Sequence, residues 1–503
     1  MQTLSLFDDD FILPTDSVWH IDNFSADSIN DDIARKRLED RYWPLTEVTD
    51  KFNRQSVSYQ LSKKDKLHRW LKYKEGFSAE LVRILLQEFH INSGDMVLDP
   101  FMGSGTTALV ACMQGINSMG FDILPMTKYS IDAKMSAYLY DINELRQLLK
   151  DIQSISIPAE YNKRTRYLSI TNDGYPENTS REIAFFDEFL DDSDYSKEAK
   201  CLLRLCIINC LEKVSYSRKD GQYLRWDYRC PKIINANRAR VAAGKKPLVT
   251  RLDKGVLPSM KESLIEELTN VIDDIVFIQN QSNGSINGCC DFIEGSALFE
   301  LPKKPANSIN GVISSPPYCN RYDYTRTYAM ELAYLGVTED GIRTLRQELL
   351  SCTVENKTKL DRIEDCYKAL GRISDFNFIM SIVNNNDVLN EINTALTNRN
   401  NNGEINNKGV LQMVKGYFTE LTFLFYEIYR MCKNGSFVAF VNDNVRYAGE
   451  VIPVDFLTTY LAEQIGFTPK KIYTLKQTKG NSSQQMAKYG RVALRKSITV
   501  WQN

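Results

Sequence analysis

No stretch of this sequence is apolar for long enough to span a bilayer. Neither charge sign dominates: 62 Lys and Arg stand against 64 Asp and Glu, a formal net charge of −2. A surface for a polyanion must therefore be local rather than global. Histidine is scarce, with three in the chain, and the eleven cysteines include no Cys-x-x-Cys pair. Cys201, Cys206 and Cys210 lie in an apolar helical run and read as core thiols, so no metal site is expected. The first ten residues are acidic and lack a basic segment followed by an apolar core, so a signal peptide is not expected. A cytoplasmic protein with reduced thiols fits these features. The 503 residues, 43% hydrophobic and 25% charged, are enough for several domains with an ample core.

The chain is organised around the stretch from Asp95 to Thr107. Met96, Val97 and Leu98 suit a buried strand that Asp99 and Pro100 end. Gly103 and Gly105 follow, and helix formers run from Thr107 to Met113. Such a turn lets a ligand approach the backbone and offers it the unpaired N–H groups of a helix start. Phe121 and Asp122 close a second apolar strand, where a carboxylate typically holds ribose hydroxyls. A phosphate-cradling loop would need lysine after Gly105, and none is there. The dinucleotide pattern is met by Gly103, Gly105 and Ala108 but has no call for Asp99. A site for S-adenosylmethionine (AdoMet) uses an acidic residue at that position.

A second abrupt strand end lies some two hundred residues on, at Gly311 to Tyr318. Pro316 and Pro317 make a rigid turn without N–H donors, and Tyr318 adds a flat ring. The combination suits chemistry on an exocyclic amino group, whose lone pair is conjugated into the base. Hydrogen bonds from its two hydrogens to Ser315 and the Pro316 carbonyl would favour a tetrahedral nitrogen. Tyr318 would stack on a base flipped out of the duplex.

Together, Asp99 to Thr106 and Ser315-Pro316-Pro317-Tyr318 resemble the amino-group DNA methyltransferases, which make N4-methylcytosine or N6-methyladenine. Gly76 to Val82 resembles the helix that packs on AdoMet ahead of the first strand, and Lys433 to Val441 a later core strand. Glu294 to Pro302 resembles the stretch leading into the catalytic strand, but the family's Gly-Asp is here Gly295-Ser296. The resemblance implies a class I AdoMet-dependent methyltransferase fold, α/β and Rossmann-like, with a mostly parallel seven-stranded sheet and largely helical insertions. It implies AdoMet held by Phe77, Asp99, Pro100, Phe101, Gly103, Ser104, Gly105, Thr106, Asp122 and Ser296. Catalysis would fall to Ser315, Pro316, Pro317 and Tyr318. Serine ahead of Pro-Pro-Tyr is typical of cytosine-N4 enzymes and aspartate of adenine-N6 enzymes. A hydroxyl both donates and accepts, so it can meet cytosine's amino group and adjacent ring nitrogen. Cytosine N4 is thus the expected target and adenine N6 the alternative. No Pro-Cys dipeptide supplies the nucleophile of 5-methylcytosine enzymes.

The chain reads as an N-terminal arm (1–60), an AdoMet-binding half (61–130) and a mainly helical insertion (131–285). A catalytic part (286–336), a second helical insertion (337–410) and the C-terminal part of the core (411–503) follow. In the first insertion, helices are expected at Ala133–Leu149, Arg181–Leu190, Ala199–Val214 and Met260–Ile278. Aromatic and basic residues, among them Arg238, Arg240, Lys245 and Lys246, suit target recognition on double-stranded DNA. Arg321 and Arg326 suit phosphates beside the flipped base, and Lys479 and Asn481 sit in an unopposed basic loop. The basic stretch Ser62 to Lys74 fits either DNA contact or a solvated face. Asn384 to Asn407 is expected to be a loop. A catalytically silent DNA-binding relative and an RNA methyltransferase are the other readings. Protein-glutamine relatives carry asparagine where Ser315 stands. A separate restriction endonuclease or defence partner is expected, and no membrane.

Overall fold

The computed structural model describes residues 20–53, 55–220, 223–248, 250–281, 285–475, 488–490, 492 and 494–503. Its strands are β1 (Thr46–Val48), β2 (Met96–Asp99), β3 (Asn117–Asp122), β4 (Ser217–Asp220), β5 (Tyr223–Trp226), β6 (Cys290–Glu294), β7 (Ile309–Ser314), β8 (Cys432–Asp443), β9 (Val445–Tyr447), β10 (Glu450–Ile452), β11 (Thr468–Thr474) and β12 (Lys496–Gln502). One sheet takes the order β6-β3-β2-β7-β8-β12-β11-β1. Its pairs are parallel except that β12 runs against both β8 and β11. This is the expected α/β architecture with, among the described residues, one strand more than seven, because β1 from the N-terminal segment adds to the edge beside β11.

Val97, Leu98, Val312 and Ile313 are fully buried, as parallel strands covered on both faces must be. On one face the helix Ala79–Glu88 starts at Ser78, whose hydroxyl accepts the Leu81 amide at 3.4 Å. It packs Leu81, Val82 and Leu85 against Val97 and Ile313. On the other face the helices Gly409–Met431 and Val454–Ile465 meet Phe440 and Trp501, with the Phe425 ring 4.9 Å from the Trp501 ring.

The first insertion, between β3 and β6, packs Leu145, Phe186, Ile207 and Leu268 into a second core that also takes in Trp70, Leu109 and Tyr328. The helix expected over Ala133–Leu149 is two, Pro125–Met135 and Ile142–Ser154. The chain breaks between them because the Asp141 side chain accepts the Asn143 amide at 2.8 Å and caps a new helix. Further on, the β4–β5 hairpin leads to the helix Pro231–Ala242, which has no buried residue.

The asparagine-rich stretch corrects the sequence reading, since Asp387–Asn401 is a helix. Asparagine is a poor helix former, but Val388, Leu389, Ile392, Ala395 and Leu396 recur at helical spacing and are all buried. Burial of that stripe outweighs propensity. Asn386 caps the start by accepting the Leu389 amide at 2.8 Å.

The N-terminal segment is tied down by charge. From the helix Ile33–Tyr42, the fully buried Arg35 bonds Glu391 at 2.8 Å and Glu450 at 3.0 Å. Glu39 from the same helix, also fully buried, accepts from Arg495 at 2.8 Å. Among the described residues no helix is long and apolar enough to cross a membrane.

Candidate active site

β2 and β7 are parallel neighbours, with Leu98 opposite Val312. Their tips are joined by side chains: the Ser314 hydroxyl donates to Asp99 Oδ1 at 2.6 Å, and the Phe101 amide donates to the same oxygen at 3.1 Å. Asp99 is 1% exposed, and burial pushes its carboxyl up to about 6 despite these donors. The residue after Asp99 is Pro100 and the residue after Ser314 is Ser315, and both line one pocket.

The turn beyond Pro100 needs its glycines. Gly103 has φ +52°, and a β-carbon there would lie 2.7 Å from the Tyr73 ring. Gly105 has φ +79° and caps the helix Thr106–Met113; a β-carbon there would lie 2.5 Å from Ile131. The Ser104 carbonyl is pinned from behind by Ser130 Oγ at 3.0 Å and Lys134 Nζ at 2.7 Å. Burial holds the Lys134 ammonium down to about 7. At the tip of β3, Asp122 accepts the Gly103 amide on Oδ2 at 2.8 Å and the Leu124 amide on Oδ1 at 2.9 Å. Its carboxyl is also pushed up to about 6, again chiefly by burial.

The pocket occupies about 700 Å3, counting the open space at its mouth. Of the residues marked in the sequence, Phe77, Pro100, Phe101, Gly103, Ser104 and Thr106 line it, as do Asp122, Ser296, Ser315 and Pro317. Asp99 and Gly105 stand behind this wall: the first is sealed between strand tips and the second starts the helix. Pro316 is buried, while Tyr318 is half-buried outside the lining. The Ser315 hydroxyl donates to the Tyr318 hydroxyl at 3.1 Å, and the Lys496 ammonium lies 5.2 Å from the Tyr318 ring centre. Sequence reading missed Tyr73, Glu75, Tyr324, Glu348, Leu349 and Leu350, which complete the walls. Tyr73 and Glu75 fall just ahead of Gly76-Phe77, so nearness to that motif was a usable signal. Nothing local marked Glu348 to Leu350, which come from the second insertion. Ser296, standing where the family has aspartate, donates to the Glu348 carbonyl at 3.0 Å and so ties that insertion to the pocket.

The basic residues marked for DNA divide. Arg238, Lys245 and Lys246 are exposed on and after the unburied helix. Arg240 is engaged locally, donating to the Lys246 carbonyl at 2.8 Å, and this bond folds the following loop back on the helix. Arg321 adopts φ +67° and donates to Asn406 at 3.3 Å. Arg326 lies between two carboxylates, 3.9 Å from Asp323 and 3.5 Å from Glu355, which compete with any phosphate. Lys479 and Asn481 lie outside the described residues. In the basic stretch Ser62 to Lys74, Arg69 grips Asp274 through two bonds of 2.8 Å and Lys72 bonds Glu212 at 2.7 Å. Those cations hold the first insertion to the core.

Residues 14–133 match a family model, for N6 and N4 enzymes, described as DNA methylase. Over 486 residues the chain is 54% identical to the type II methyltransferase M.BsoBI of Geobacillus stearothermophilus, covering 96% of this chain and 95% of that one. Over 489 residues it is 36% identical to the type II methyltransferase M.AvaI of Nostoc sp., covering 95% of each. With two strand-end turns meeting in one pocket and likeness along nearly its whole length, the chain belongs to the amino-group (N6/N4) DNA methyltransferases of type II restriction-modification.

Proposed function

We propose that this chain binds AdoMet in the pocket between the glycine turn and Ser315 and methylates the N4 amino group of a cytosine flipped out of duplex DNA. The observation that carries this reading is the shared pocket, where Gly103, Ser104 and Asp122 face the same space as Ser315 and Pro317. AdoMet supplies an electrophilic methyl group on a positively charged sulfur. Among the described residues every charged side chain lining the pocket is acidic, namely Glu75, Asp122 and Glu348, which suits a cationic ligand. Asp122 keeps spare lone pairs for ribose hydroxyls beyond the two amides it accepts.

On the catalytic side, the Ser315 hydroxyl donates to Tyr318 in this structure; turned instead to a bound cytosine, it donates to the ring nitrogen while its lone pairs accept an amino hydrogen. The Pro316 carbonyl accepts the second hydrogen, and the two bonds pull the nitrogen out of conjugation. Tyr318, half-buried and held from Ser315, offers its face to the flipped ring. Target recognition falls to the first insertion, whose projecting helix presents Arg238 with Lys245 and Lys246 beyond it. The biological setting of this reading is the cytoplasm, where methylation shields host DNA from a separate endonuclease that reads the same sequence.

Binding and chemistry separate by mutation. Gly105→Val and Asp122→Ala should weaken AdoMet binding roughly tenfold or more in calorimetry. Ser315→Ala should retain binding and slow transfer on the order of 100-fold. Wild-type affinity in both of the first two variants removes the cofactor assignment. Because burial holds the Asp122 carboxyl up at about 6, the carboxylate is present above that pH. AdoMet affinity should therefore decline as pH falls below about 6 and level off above it; a flat profile from pH 5 to 8 contradicts the role given to Asp122.

The insertion is tested by reversing Arg238, Lys245 and Lys246 to Glu together. DNA affinity should drop, and the dependence of log affinity on log salt should flatten by about 0.9 for each phosphate no longer neutralised. An unchanged affinity and slope would make this a solvated loop.

The target base is read directly from DNA methylated by the purified enzyme, digested to nucleosides and separated by mass. N4-methylcytosine is the expected product. N6-methyladenine alone would overturn the argument from Ser315 while leaving the pocket assignment standing.

A further inference from the structure

Asp99, the acidic residue that the glycine turn places nearest the cofactor in sequence, does not reach the pocket. Its carboxylate is sealed between strand tips and accepts from Ser314 and Phe101. Among the described residues three other carboxylates do line the pocket, and two of these are committed. Asp122 accepts two backbone amides, and Glu348 pairs with Arg362 at 2.6 Å. Glu75 is different. Among the described residues it has no ion-pair partner, and its carboxylate is held by two neutral groups, the Tyr322 hydroxyl on Oε1 and the Tyr328 hydroxyl on Oε2. The nearby Lys219 is taken by Glu331, and its ammonium lies 4.3 Å from the Tyr328 ring centre.

The surroundings place Glu75 at the glycine-turn end of the pocket. The Tyr328 ring stacks on Tyr73 at 5.2 Å and 9°. Tyr73 is the ring that a side chain at Gly103 would strike. On the other side, Gly76 lies beside the Ser104 side chain. Each Glu75 oxygen therefore receives one tyrosine hydroxyl and keeps a lone pair for a cation brought to this end.

We propose, resting on the AdoMet reading above, that Glu75 anchors the α-ammonium group of the cofactor's amino-acid end, the role that Asp99 is placed too deep to fill. The ammonium rather than the sulfonium is the matching charge. An ammonium has three N–H donors to satisfy and a sulfonium has none. A carboxylate touching the transferable methyl would also be a competing nucleophile and would form a methyl ester. The two tyrosines fix the carboxylate so that it meets the amino-acid end and leaves the methyl to the base.

The test is calorimetry of the wild-type protein and Glu75→Gln with three ligands: AdoMet, S-adenosylhomocysteine and 5′-methylthioadenosine. The first two carry the ammonium, only the first carries the sulfonium charge, and the third has no amino-acid end. Glu75→Gln should weaken AdoMet and S-adenosylhomocysteine alike by roughly tenfold or more and leave 5′-methylthioadenosine within about twofold. Retained binding of that third ligand also shows that the variant folds. Equal weakening for all three would make Glu75 a structural residue. Weakening for AdoMet alone would move the interaction to the sulfonium, and unchanged affinity for all three would remove the interaction; each outcome overturns the proposal. A wild-type protein that binds none of the three removes the AdoMet reading itself and this proposal with it.

Discussion

The Asp99 carboxylate, shut away from water between the tips of β2 and β7, accepts the Ser314 hydroxyl at 2.6 Å. In a low-dielectric setting such a bond is strong, and an unpaired carboxylate there would be expensive. The geometry of the site depends on it. Pro100 opens the glycine turn on one side of the pair and Ser315 opens the Ser-Pro-Pro-Tyr turn on the other, each one residue away. Two segments more than two hundred residues apart in sequence are held at a fixed spacing by the β2–β7 ladder and, at its end, by this bond. That spacing is what a direct methyl transfer requires, because donor and acceptor must be held in line at contact distance.

Around this pair the second insertion acts as a wall, and the first packs on the core beside it. Glu348, Leu349 and Leu350 from the second insertion close the pocket, and Ser296 ties them to the core. The first insertion is held by Arg69 and Trp70, both bonded to the buried Asp274. Its hairpin reaches back through Lys219 to the Tyr328 ring, which borders Glu75. The region proposed to meet DNA and the region proposed to hold the cofactor thus share side chains. At the far edge, Arg35, Glu39 and Arg495 are buried as pairs whose members come from opposite ends of the chain. Removing one partner of such a pair strands a charge, which fixes the N-terminal segment in place.

The features that could be read in the sequence are those whose cause is local. A short apolar run, a strand-ending aspartate and two glycines specify strand, turn and helix within a dozen residues. The Ser315-Pro316-Pro317-Tyr318 turn is legible for the same reason. What escaped depends on tertiary structure. Asp99 looks like a ligand residue until the neighbouring strand brings Ser314 to it. Glu75, one residue past the basic stretch, draws no notice until Tyr322 and Tyr328 fold over it. Arg240 and Arg326 look free until a carbonyl and two carboxylates claim them. The asparagine-rich segment reads as a loop because asparagine disfavours helix, yet its buried apolar stripe was present in the sequence and carried more weight than composition.

Whether one hydrogen bond holds the two turns in register is measured most directly by a double-mutant cycle on Asp99→Ala and Ser314→Ala. The readout is kcat/KM for AdoMet with saturating duplex DNA, converted to transition-state free energies. Each single variant should be less active, and the double variant should be little worse than the weaker single, giving a coupling of about 1.5–3 kcal/mol. Effects that add to within about 0.5 kcal/mol would show two independent residues. The two turns would then be held together by something other than the Asp99–Ser314 bond.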